Sequence, residues 1–369
     1  MAKSRLHQVS ELGQSVWIDF LSLQLLQSGK LAQLMEEDAV VGVTSNPTIF
    51  QKAISEGNVY DEQLREALAE EDDPKEVFVR LAVQNVQEAC DLLRPVWDGG
   101  NGKDGYVSIE VDPTLAFDTD ATIAEAQRLH DLVDKPNCFV KIPGTKEGLP
   151  AIEEMTARGH NINVTLIFGL QRYAEVVEAH HRGLERLVES GRDPSGVASV
   201  ASFFVSRVDT EADRRLDEAG APAELKGKLA VANAKLAYQR YKELFSGERW
   251  EPLAAKGATT QRCLWASTST KNPDYRDVIY VEELIGPDTV NTMPLETVNA
   301  FQDHGEVRGD TVTEKVGKAR KLLDELAKVG VDYDDVTETL ELEGVQKFAD
   351  SFAELLDEVR AKRGELVTA

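Results

Sequence analysis

The sequence predicts an α/β fold: eight parallel strands closed into a TIM (β/α)8 barrel with extra helices around it. Three observations lead there. Eight short apolar segments alternate with amphipathic helical stretches along 369 residues, which is the pattern of βαβ units in a parallel sheet. Eight such units close naturally into a barrel of ~250 residues before insertions. No Gly-, Ser- or Pro-rich linker divides the chain, so residues 1–369 are expected to form one domain. The excess length falls at about 47–96, 206–250 and the C-terminal helices at about 309–362. A doubly wound open sheet has the same strand count and is the competing architecture.

The elements follow in order. Ser4–Gln14 is polar with a few apolar residues and reads as a leading helix. Val16–Phe20 is a strand carrying one acid, Asp19. Leu21–Glu37 has helical spacing, with a break at Gly29-Lys30. Ala39–Asn46 is the second strand, stopped by Pro47. Asp61–Glu70 and Pro74–Leu93 are amphipathic, and Pro74 suits a first helical turn. Gly99–Gly105 is a loop, and Gly105–Asp112 is the third strand, stopped by Pro113. Helical Ala121–Val133 leads to the fourth strand, Cys138–Thr145, ended by Pro143-Gly144. Helical Gly148–Arg158 precedes strand Asn161–Phe168, and helix Leu170–Ser190 precedes strand Val197–Val205. A helical region, Asp209–Phe245, breaks near Gly220-Ala221-Pro222. Strands Arg262–Thr268 and Thr289–Met293 complete the eight, and helices over Thr311–Lys328 and Leu340–Lys362 end the pattern.

Composition excludes several function classes. With 42% hydrophobic and 29% charged residues the chain has the make-up of a soluble globular protein. A formal net charge of -24 repels nucleic acid and anionic membrane surfaces. An anionic small substrate then needs a local cluster of Arg or Lys. Cys90, Cys138 and Cys263 lie far apart, and Met1–Ser15 lacks the apolar core of a secretory signal. Both features predict a reducing, cytoplasmic setting.

The strands hold the chemistry. Parallel strands buried on both faces should read as continuous apolar runs. Here Asp19, Asn46, Glu110, Lys141, Asn163, Thr165, Ser202 and Ser267 interrupt them, mostly toward the carboxyl ends. In a barrel those ends meet at one mouth, where the active sites of this fold lie. Each residue alone also reads plainly: Asp19 as a helix cap, Asn46 as an Asx turn, Lys141 as a snorkelling lysine. Together, two carboxylates, a lysine and two amides are costly to bury without a purpose. A buried lysine amine forms a Schiff base with a ketone, and carboxylates move the protons that let a carbon–carbon bond break or form. That set fits a class I aldol mechanism.

Other motifs are absent. Gly99-Gly100-Asn101-Gly102-Lys103 lacks the spacing of a phosphate loop. The six histidines show no ligand cluster, so no metal is expected, and His180-His181 are read as facing solvent from mid-helix.

With these residues placed, the chain resembles the transaldolase family along nearly its whole length. The matching pieces are Val43-Thr44-Ser45-Asn46-Pro47-Thr48, Ile109-Glu110-Val111-Asp112, Val140-Lys141-Ile142-Pro143, the stretch from Asn161 to Phe168, and Ser202-Phe203-Phe204-Val205-Ser206-Arg207. The length and the surroundings of Lys141 are similar to the longer actinobacterial members. The resemblance implies a cofactor-free enzyme of the non-oxidative pentose phosphate pathway. It would transfer a dihydroxyacetone unit from sedoheptulose 7-phosphate or fructose 6-phosphate to an aldose phosphate, glyceraldehyde 3-phosphate or erythrose 4-phosphate.

By resemblance, Lys141 is the Schiff-base lysine and Asp19 the acid/base, while Glu110 and Thr165 position the catalytic water. Asn46, Asn163 and Ser202 would hold the dihydroxyacetone part, and Arg207 and Ser267 the phosphate. Relatives that release free dihydroxyacetone carry Gln in place of Glu110 and Tyr in place of Phe204, so the chain follows the transferases at both positions. Better-known members place an arginine two residues after Ser267. Here Ser269 stands there, and Lys271 is the candidate to supply the charge. Two other readings stay open at this point: an aldolase releasing free dihydroxyacetone, and an inactive barrel acting as a binding protein. A homodimer is left open as well.

Overall fold

The computed structural model describes residues 4–55 and 58–367. Eight parallel strands close on themselves in sequence order. They are β1 (Gln14–Ile18), β2 (Val40–Val43), β3 (Tyr106–Glu110), β4 (Cys138–Pro143), β5 (Ile162–Ile167), β6 (Ser199–Phe204), β7 (Gln261–Ala266) and β8 (Thr289–Met293). β1 pairs with β8 over Gln14↔Thr289 to Ile18↔Met293, which closes the barrel and rules out the open sheet. No helix among the described residues is long and apolar enough to cross a membrane.

Successive side chains on a strand alternate between faces, and aromatic contacts identify the inward set. Trp17, Tyr106 and Phe139 come from β1, β3 and β4. Tyr106 and Phe139 stack at 4.2 Å, and Trp17 lies 6.1 Å from Phe139. Strands β1 and β4 are not neighbours, so these rings meet across the interior. Gly42 on β2 makes the space: a Cβ there would sit 2.5 Å from the Trp17 ring.

Beneath this layer, toward the amino ends of the strands, Arg262 forms the floor. It donates to Ser15 Oγ at 2.8 Å and to Asp104 Oδ1 at 3.1 Å, while Trp17 Nε1 also reaches Asp104 at 3.1 Å. The floor arginine is therefore spent on Asp104, leaving Glu110 for the opposite end.

Several boundaries differ from the sequence pattern. β1 runs Gln14–Ile18, which leaves Asp19 one residue beyond it. β2 stops at Val43, short of the expected Asn46, and Pro47 opens a helix, Pro47–Ser55, because a first-turn proline forgoes no hydrogen bond. Helix Leu295–His304 after Pro294 was unmarked for the same reason. The last helix, Tyr333–Val367, begins about two turns before Leu340.

His180 and His181 are a correction. Both are buried, at 0% and 3% exposure, on the inner face of helix Leu170–Glu189. His181 packs on Phe245 and Trp250, and burial holds the two rings well below the ordinary histidine value, at about 3 and about 4. They are neutral core aromatics at physiological pH.

Candidate active site

Strand register assembles the site. Glu110 on β3 lies directly across from Lys141 on β4, and Lys141 lies directly across from Asn163 on β5. All three share the interior face, one layer above the Trp17–Tyr106–Phe139 rings. Lys141 Nζ donates to Glu110 Oε2 at 3.0 Å and to the Ser45 carbonyl at 3.1 Å. The amine is thus buried and paired rather than snorkelling.

Asp19 reaches the same space from the end of β1. Thr44 Oγ1 donates to Asp19 Oδ1 at 2.7 Å and lies 2.8 Å from Thr292 Oγ1 on β8. Burial pushes the Asp19 carboxyl above its ordinary value, opposed chiefly by the nearby Lys141 charge. Burial raises Glu110 too, again against Lys141, while Asp19 adds to the rise. Both acids feel the lysine, and Glu110 also feels Asp19, so the three ionisable groups converge.

A cavity of about 540 Å³ opens above them, and Asp19, Lys141, Thr165, Ser202 and Phe204 form its base. Thr165 Oγ1 is buried and has no partner among the described residues. A left-handed Leu166, φ 59°, follows it where the β5–β6 register shifts. Asn46 lines the cavity as well; its Oδ1 accepts from Ile49 N at 3.1 Å, capping the next helix and leaving its NH2 for a ligand. The Asn46 oxygen thus caps a helix, where the sequence suggested an Asx turn, and the residue borders the cavity.

Asn163 and Glu110 stand differently from the rest. Asn163 is fully buried beneath the cavity; it donates to Ser108 Oγ at 3.1 Å and accepts from Ser202 Oγ at 2.7 Å. Glu110 lies behind Lys141, on a narrow cleft shared with Ser45 and Asn46.

The outer part of the cavity is cationic. Arg207, in the first turn of helix Val205–Glu218, rests 5.1 Å from the Phe204 ring and 5.8 Å from Phe348. Ser267 follows β7 in a left-handed turn, φ 55°, with its hydroxyl 2.9 Å from Ser206 Oγ. Lys271 is at the rim, where its Nζ donates to Ser269 Oγ at 2.9 Å. Asp19, Asn46, Lys141, Thr165, Ser202, Phe204, Arg207, Ser267 and Lys271 thus line this one cavity, with Asn163 beneath it and Glu110 on the adjoining cleft.

Sequence reasoning missed the residues from outside the barrel. Lys52 comes from helix Pro47–Ser55, and Leu340, Glu343, Lys347 and Phe348 come from the last helix. Phe348 covers the mouth: its ring lies 6.0 Å from Lys141 Nζ and 6.0 Å from the Phe204 ring. Phe348 and Phe352 are spaced as core residues of an amphipathic helix, and nothing in that spacing says which surface they meet. Among the described residues, no group of three His, Cys, Asp or Glu side chains is arranged to hold a metal ion.

The family model described as Transaldolase/Fructose-6-phosphate aldolase matches residues 16–359. The chain belongs to this transaldolase family. Its relatives include a transaldolase of Frankia alni, 54% identical over 361 residues and covering 97% of each chain. A transaldolase of Acidothermus cellulolyticus is 54% identical, over 97% of this chain and 99% of its own. One from Mycobacterium leprae is 52% identical over 95% of both chains. The transaldolase match spans all eight strands except the first two residues of β1, and it includes the last helix up to residue 359.

Proposed function

We propose that the protein transfers a dihydroxyacetone unit between sugar phosphates through a Schiff base on Lys141. The observation that carries this reading is the buried pair of Lys141 Nζ and Glu110 Oε2 at 3.0 Å, with Asp19 facing both. The relatives named transaldolase, alike over nearly the whole chain, support the reaction class.

In this reading Glu110 takes a proton from Lys141, and the amine adds to the donor's C2 carbonyl. The carbinolamine loses water to give the iminium, with Glu110 and Thr165 holding that water. Asp19 removes the proton from the C4 hydroxyl, the C3–C4 bond breaks, and its electron pair moves into the iminium to form an enamine. The aldose phosphate leaves. An acceptor aldehyde then adds to the enamine carbon, Asp19 returns the proton to the new hydroxyl, and water hydrolyses the iminium to free Lys141. Asn46 and Ser202, with Asn163 behind, hold the three-carbon unit. Arg207, Ser267 and Lys271 hold the phosphate.

Phe204 favours transfer over release of free dihydroxyacetone. Its ring packs on Phe168 at 5.5 Å and Phe348 at 6.0 Å, so an apolar wall, with no hydroxyl to orient water, borders the enamine. The setting we infer is the cytoplasm, in the non-oxidative pentose phosphate pathway, with the barrel and its helices acting as one domain. The three cysteines are buried and unbridged, as in a reducing compartment.

The test is fructose 6-phosphate with and without erythrose 4-phosphate. Sedoheptulose 7-phosphate should form with acceptor, and free dihydroxyacetone should stay at trace level without it. Stoichiometric release of dihydroxyacetone in the absence of acceptor would make the protein an aldolase instead.

A further inference from the structure

Four cations border the cavity above Lys141: Lys52, Arg207, Lys271 and Lys347. Many basic side chains elsewhere in this acidic chain lock onto carboxylates, as Arg215 does on Glu211 at 2.6 Å and Lys235 on Glu283 at 2.9 Å. The ammonium groups of Lys52 and Lys347 have no hydrogen bond or ion pair among the described residues. Of the acids in the cavity, Glu211 is already held by Arg214 and Arg215, while Asp19 and then Glu343 act on Arg207.

A specific contact brings the two lysines to the cavity. Thr48 Oγ1 donates to Ser351 Oγ at 2.9 Å, pinning helix Pro47–Ser55 to the last helix. Lys52 is four residues from Thr48, and Lys347 is four residues from Ser351, so each stands one turn from the pin on the same face. Charge crowding is felt at the rim. Loss of solvent around its ammonium pushes Lys271 below the ordinary lysine value, and Arg207, Lys347 and Lys52 push it further, with Glu296 opposing. Lys52 and Lys347, unpaired beside Arg207 and Lys271, fit a site completed by an anion.

We propose that Lys52 and Lys347 are specificity-determining ligands of the substrate's terminal phosphate. The assignment rests on the sugar-phosphate transfer reading above. It supplies the charge missing at Ser269 from two helices outside the barrel, and it makes docking of the last helix part of substrate selection.

The experiment uses Lys52→Gln, Lys347→Gln and the double variant, with Lys30→Gln on an exposed helix as control. Inorganic phosphate binding is titrated by calorimetry, KM and kcat are measured for fructose 6-phosphate, and dihydroxyacetone is trapped with borohydride. The double variant should weaken phosphate binding and raise KM by about tenfold or more, with a smaller change in kcat. Lys347→Arg should restore most of the loss, and thermal melts should match the native protein. Phosphate binding within about twofold of native in the double variant overturns the proposal, as does a native protein that binds no phosphate. If the native protein binds phosphate through these lysines but dihydroxyacetone leaves no adduct on Lys141, the phosphate site stands and the transfer reading fails.

Discussion

Glu110 Oε2 lies 3.0 Å from Lys141 Nζ on the neighbouring strand, and the two side chains keep only 4% and 6% of their exposure. Their positions follow from register, since Glu110 and Lys141 are direct partners in the β3–β4 ladder. A buried ion pair is a poor source of stability, because desolvation offsets much of the attraction. Its value here is chemical: a base sits within hydrogen-bond reach of the amine that must lose a proton.

Glu110→Gln should therefore lower kcat by about 10²–10⁴-fold with little change in KM, because the amide keeps the shape but cannot take a proton. Steady-state kinetics with fructose 6-phosphate and erythrose 4-phosphate check it. A kcat within about twofold of native would remove Glu110 from the proton path.

Asp209 gives a pH dependence of stability. Its carboxylate is buried and accepts from Ala230 N at 2.7 Å and Tyr280 OH at 2.8 Å. Burial pushes it from 3.8 up to about 7, with Asp213 adding to the rise. The folded chain thus binds this proton more tightly than the unfolded one. The associated stability is complete below about pH 4 and is lost as pH rises through about 7. Asp209→Asn should gain Tm relative to the native protein between those limits, and Tm–pH curves that stay parallel from pH 4 to 8 would contradict this.

Gly42→Ala tests the aromatic layer under the site. The added methyl would meet the Trp17 ring at 2.5 Å, and Trp17 is fully buried with Tyr106 and Phe139 beside it. A loss of about 1–3 kcal/mol in urea unfolding is expected. An unchanged midpoint would show that the layer yields freely.

The strands and most of the site were legible because the barrel interior is a local property of sequence. A lysine flanked by Val140 and Ile142 stands out against an apolar run, and so do Glu110 and Asn163 on the strands beside it. The parts that were not legible depend on tertiary contact. Pro294 reads as a stop because proline ends a strand, yet it is followed by helix Leu295–His304. Lys52, Lys347 and Phe348 come from helices whose spacing marks a buried face without naming its partner. His180 and His181 looked polar, but the helix turns them into the core beside Phe245 and Trp250.

The most direct test of the central claim is borohydride reduction in the presence of fructose 6-phosphate, followed by peptide mass mapping. The account predicts one stable sugar-derived adduct, on the peptide containing Lys141, and no adduct and no transfer in Lys141→Ala. An adduct on any other lysine, or transfer activity that survives Lys141→Ala, would contradict it.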